Sequence, residues 1–100
     1  MEQALLILTN VPDAELANSL ARALVEQRLA ACVNILPAVQ SVYQWQGAIE
    51  QASEVTLMIK STQARYAEVE AAIAQAHPYD VPEILSLIHI SEPTRRRGIS

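Results

Sequence analysis

The stretch CVNILPAVQSVYQWQGAIEQASEVTLMIK, residues 32–60, decides the fold, because it reads as two strands joined by one tight turn. Val39, Ser41, Tyr43 and Trp45 alternate with Gln40, Val42 and Gln44, which is the two-residue period of a strand. Pro37 interrupts the run and implies a bulge or an edge there, since proline cannot donate to a hydrogen-bond ladder. Gln46-Gly47 supplies a hairpin turn. Residues 54–60 return as the second strand, with Val55, Leu57 and Ile59 facing inward.

Working outward, ALLILT (4–9) is a short apolar run closed by NVPD and reads as a buried strand. Pro12 suits a first helical turn, and Asp13 and Glu15 suit its positive end. Leu16, Leu20 and Leu24 then recur every four residues beside Ala17, Ala21 and Ala23, which predicts a helix over 13–28 with a small-residue flank for a sheet. STQARYAEVEAAIAQAH (61–77) predicts a second helix with Ser61 or Thr62 as N-cap. Its buried stripe is Tyr66, Val69, Ile73 and Ala76, and Arg65, Glu68 and Gln75 face water. PEILSL (82–87) reads as a last strand. The order βαββαβ is that of an α+β, ferredoxin-like domain, an antiparallel sheet with both helices on one face.

Lengths add a functional hint. A helix over 13–28 spans about 24 Å, whereas residues 33–45, extended, reach roughly 40 Å. The hairpin therefore protrudes past its helices and leaves Val42, Tyr43 and Trp45 as apolar surface along an open strand edge. Edges and patches of that kind are normally covered, so a homo-oligomer is expected.

One hundred residues with 51% hydrophobic and 18% charged side chains suit one globular domain, assigned to residues 1–87. Beyond it the text turns to IHISEPTRRRGIS with no helical or strand period, and residues 88–100 are expected to be a tail foreign to the domain, such as a frame-shifted end. Residues 1–87 carry ten acidic against four basic side chains, a surface that repels phosphate backbones and makes nucleic acid a poor partner. No apolar run approaches the roughly 20 residues of a membrane span. The opening MEQALLILTN lacks the basic residues of a signal peptide, and Cys32 is the only cysteine, so a cytoplasmic location is expected.

Candidate chemistry is sparse. Cys32 opens a strand between Ala31 and Val33 with no cation nearby in the sequence, and its plain reading is packing. His77 precedes Pro78, where a helix ends, and the backbone alone accounts for it; metal ligation is the alternative. The carboxylates show no paired catalytic spacing, and Gly47 and Gly98 are too few for a phosphate-cradling loop. No ordinary enzyme is expected. Tyr43, Trp45 and Tyr79 have the aromatic body and polar handle favoured at interfaces and in pocket walls.

The segments CVNILPAVQSVYQWQGAIEQASEVTLMIKS and HPYDVPEIL resemble the CutA family, the divalent-cation tolerance proteins. The matching residues are Cys32-Val33-Asn34, Pro37, Ser41, Tyr43, Trp45-Gln46-Gly47, Glu54, Lys60, His77-Pro78-Tyr79 and Pro82-Glu83. The resemblance implies a stable homotrimer of ferredoxin-like subunits whose long hairpins pair between neighbours, and a non-catalytic role in tolerance of copper and other divalent cations. A divalent metal, Cu or Zn, is the expected cofactor, with His77 of one subunit meeting Cys32, Glu50 or Glu83 of another. Some bacterial members are associated with copper binding through a cysteine near the end of the first strand and consecutive histidines before PY. Those positions read Thr9 and Ala76 here, with His77 retained. The trimer also resembles the PII signalling proteins, which implies a cleft between subunits, walled by Tyr43, Trp45 and Tyr79, for a small anionic ligand anchored by Lys60.

Overall fold

The computed structural model describes residues 3–76 and, as backbone, the strand at 84–88. The elements run β1 (Ala4–Val11), α1 (Ala14–Glu26), β2 (Cys32–Trp45), β3 (Ala48–Thr62), a single 3-10 turn (Gln63–Arg65), α2 (Tyr66–Ala76) and β4 (Ile84–Ile88). The four strands lie in the order β2-β3-β1-β4, and every neighbouring pair is antiparallel. This is the ferredoxin-like arrangement expected from the order of elements.

α1 begins where Asp13, in an extended conformation, accepts a 2.8 Å hydrogen bond from the Leu16 N–H. Asp13 is thus the N-cap, and Pro12 stands before the cap instead of inside the first turn. The helix ends at Glu26, two residues short of the expected Arg28, because Arg28 turns into the left-handed region at φ 61°. That turn lets the N–H groups of Leu29 and Ala30 both donate to the Leu24 carbonyl, and it folds these two residues into the core.

α2 starts later than 61. Ser61 stays in β3, where its hydroxyl donates to the Leu29 carbonyl at 2.6 Å, and Thr62 makes no side-chain capping bond. Neither residue caps α2 because the strand continues through both. Val69 and Ile73 are fully buried and Tyr66 half-buried, but Ala76, expected in the buried stripe, is exposed.

One face of the sheet and both helices make the core. Leu5, Ile7 and Val11 of β1 and Val55, Leu57 and Ile59 of β3 meet Ala17, Leu20, Ala21 and Leu24 of α1 and Val69 and Ile73 of α2. The alanines at 17 and 21 let the α1 backbone approach the strands closely.

The hairpin is longer than the helices that flank it. β2 has 14 residues, about 46 Å if extended, against about 20 Å for the 13 residues of α1. The turn at Gln46-Gly47 has φ of 50° and 82°, the two positive values a type I′ turn requires. The Pro37 interruption is a bulge. Pairing passes from Leu36↔Thr56 to Val39↔Glu54, which leaves one extra residue on β2, and Ala38 takes φ 60°. β2 is also the sheet's edge strand, so both readings of Pro37 apply.

Ile59→Ala is expected to lower the unfolding free energy by about 2–5 kcal/mol, since the side chain is fully enclosed. Val25→Ala, at an exposed position of α1, is expected to change it by less than about 0.5 kcal/mol. Urea denaturation followed by far-UV circular dichroism checks both.

Candidate functional site

The sheet has a second face, turned away from the helices. Residues paired across strands share a face, so the register assigns Leu6, Leu8 and Asn10 of β1, Thr56, Met58 and Lys60 of β3, and Cys32, Asn34 and Leu36 of β2 to it. Leu6, Leu8 and Met58 are half-buried there and Leu36 is exposed. Asn10 and Thr56 face each other directly, and the Thr56 hydroxyl donates to Asn10 Oδ1 at 2.5 Å.

The bulge decides what the hairpin adds to this face. Its extra residue shifts the alternation of β2 by one, so Val39, Ser41, Tyr43 and Trp45 stand opposite Glu54, Ala52, Glu50 and Ala48, on the open face. Without it Tyr43 and Trp45 would point to the helix side. Trp45 is 60% exposed and Tyr43 46%. On the other side of the arm, past the reach of the helices, Val42 and Ile49 are exposed as well.

Side-chain hydrogen bonds stiffen the arm on both faces. Ser41 donates to Glu54 Oε1 at 2.7 Å on the open face. On the other, Gln40 Nε2 donates to Ser53 Oγ and Gln51 Nε2 to Gln40 Oε1.

The expected site residues fall into two groups. Cys32 and Lys60 are direct cross-strand neighbours at the base of the hairpin, with Leu6 on the far side of Lys60. The sequence shows no cation near Cys32, and the register places one beside it. Tyr43 and Glu50 are paired near the tip, next to Trp45 and Ala48. Eleven residues of extended strand, about 36 Å, separate Cys32 from Tyr43, so Cys32 and Glu50 of one chain do not share a site. His77, Tyr79 and Glu83 lie outside the described residues. Among the described residues no cluster of three or more His, Cys, Asp or Glu side chains could hold a metal ion. Thr9 is 2% exposed beneath the helices.

Sequence reasoning missed the open face itself: Leu6, Leu8, Leu36, Met58 and the Asn10–Thr56 pair. A signal was present in ALLILT, which is apolar at consecutive positions and so on both faces of its strand. A strand covered on one side only would alternate.

The sequence of the chain matches the model of the family described as "CutA1 divalent ion tolerance protein" over residues 5–93. The chain belongs to the CutA1 family. A divalent-cation tolerance protein CutA from Thermus thermophilus is 45% identical over 87 residues, covering 87% of this chain and 82% of the relative. Solved CutA1 structures share the fold. The one from the psychrotrophic bacterium Shewanella sp. SIB1 is 47% identical with a TM-score of 0.80, covering 83% of this chain and 78% of that one. The one from Oryza sativa is 34% identical with a TM-score of 0.83, covering 86% and 79%. The CutA1 relatives are named as tolerance proteins and not as enzymes. No helix among the described residues is long and apolar enough to cross a membrane.

Proposed function

We propose that this CutA1 family member works in the cytoplasm as a non-catalytic homotrimer in the tolerance of divalent cations, copper foremost. The observation that carries the reading is the set of exposed and half-buried apolar side chains on the open face, Leu6, Leu8, Leu36 and Met58 at the base and Tyr43 and Trp45 on the arm. Apolar surface of that extent, beside a 14-residue edge strand, is normally covered by another chain. Further copies of the same chain supply matching surface and a matching edge, and the protruding arms give each copy something to grip.

Assembly also bears on the metal. Among the described residues Cys32 belongs to no group of three or more His, Cys, Asp or Glu side chains, and the ammonium of Lys60 across the strand repels a cation. The proposed ligand set draws on more than one chain: His77 of one subunit with Cys32, Glu50 or Glu83 of another. Thiolate and imidazole ligands suit copper and zinc better than harder cations.

A second reading rests on Lys60. Its side chain is exposed on the open face and forms no ion pair among the described residues, which suits an anchor for a small organic anion in a cleft between subunits, as in PII-like signalling.

Sedimentation equilibrium is expected to give a trimer for the wild-type chain and a concentration-dependent shift toward monomer for Trp45→Glu; a monomeric wild type would overturn the assembly. Calorimetric titration of the trimer with Cu(II) or Zn(II) is expected to show affinity falling at least about tenfold in His77→Ala. Binding unchanged in that variant removes His77 from the site. For the second reading, organic anions should raise the melting temperature of wild type and not of Lys60→Ala; equal shifts in both would sink it.

A further inference from the structure

We infer that each subunit carries its own binding cleft for a small organic phosphate, at the junction of the α1 C-terminus, the end of β3 and the turn into α2. The cleft encloses about 390 Å³, within the range of small-molecule pockets, and Val25, Arg28, Ala31, Ser61, Thr62 and Arg65 line it. Neither described member of the metal residues proposed above lines it: Cys32 stands on the open face of the sheet and Glu50 at the hairpin tip.

Three observations point to an anion. First, the described residues contain only four basic side chains, Arg22, Arg28, Lys60 and Arg65, and two of them line this one cleft of an acidic chain. Second, the Thr62 hydroxyl is fully buried and has no hydrogen-bond partner among the described residues. A hydroxyl in that state lacks a bond that a ligand oxygen could accept. Third, Arg28 occupies the left-handed position just past α1, where glycine is the usual choice because a side chain costs about 1 kcal/mol. A cation there complements the negative end of the helix, which accounts for Arg28 alone but not for Arg65 or Thr62.

Arg65 is available. Its one ion pair among the described residues, to Glu68, is 3.6 Å long, with both side chains about half exposed or more, so it is weak and readily exchanged. Two guanidinium forks and a hydroxyl match the three oxygens of a phosphomonoester. The cleft is also roomier than inorganic phosphate needs, and Val25, Leu29 and Ala30 give it an apolar wall. An organic substituent on the phosphate would rest there.

The test uses phenyl phosphate as probe, followed by 1H–15N correlation spectra of the full chain. Expected are saturable shifts centred on Ala31, Ser61, Thr62 and the Nε–H groups of Arg28 and Arg65, with tighter binding than inorganic phosphate. The double variant Arg28→Asn/Arg65→Gln is expected to weaken binding at least about tenfold, as loss of charge-assisted bonds requires. Asparagine tolerates the left-handed backbone at 28, and Arg65→Gln alone, at an exposed position, keeps the test valid should the double variant not fold. Arg22→Gln should bind as wild type, and shifts that vanish in Lys60→Ala but persist in the arginine variants would place the probe at Lys60 and overturn the assignment. Non-saturating shifts, equal affinity in the arginine variants, or inorganic phosphate binding as tightly as phenyl phosphate would each overturn the assignment.

Discussion

The antiparallel register of β1 on β3 governs both faces of the sheet at once, because side chains alternate along each strand. Pairing Ile7 with Ile59 and Val11 with Val55 aligns the row that α1 and α2 bury. The same pairing puts Leu8 opposite Met58 and Asn10 opposite Thr56 on the other side. A slip of one residue would exchange the rows and carry Lys60 toward the core. The helix-covered core and the open face are therefore two consequences of one ladder.

The hairpin extends that second surface beyond the body of the subunit. A type I′ turn at Gln46-Gly47 closes it tightly, and side-chain bonds such as Ser41 to Glu54 hold its strands in register beyond α1 and α2. The bulge after Leu36 is the pivotal feature of the arm. One additional residue, with Ala38 in the left-handed region, turns Tyr43 and Trp45 to the same side as Leu6, Leu8 and Met58. Backbone strain at one position is exchanged for aromatic side chains on the open face.

Much of this was legible beforehand. Alternation in residues 39–45, the Gln46-Gly47 turn and the leucine spacing of α1 each rest on local rules, and local rules can be read from adjacent residues. The failures share a cause. Ser61 looks like a helix cap, but its hydroxyl reaches a carbonyl 32 residues away in sequence, at Leu29. Ala76 continues the helical stripe but is exposed, so the spacing of the stripe outruns the burial. Cys32 has no cation near it in sequence and Lys60 directly across the ladder. The candidate site was legible as residue types and not as groupings, since Cys32 and Glu50 belong to opposite ends of one hairpin.

The sequence by itself determined the order of elements, the fold class, the protruding hairpin and the family, because periodicity, turn chemistry and motif spacing are properties of neighbouring residues. Only the tertiary structure decided which residues share a surface: the open face from Leu6 to Trp45, the Cys32–Lys60 neighbours, and the cleft that gathers Arg28 and Arg65 from the two ends of a 37-residue separation. The physical reason is that a strand's register and a bulge's position are settled by long-range pairing, and a shift of one residue reverses every face.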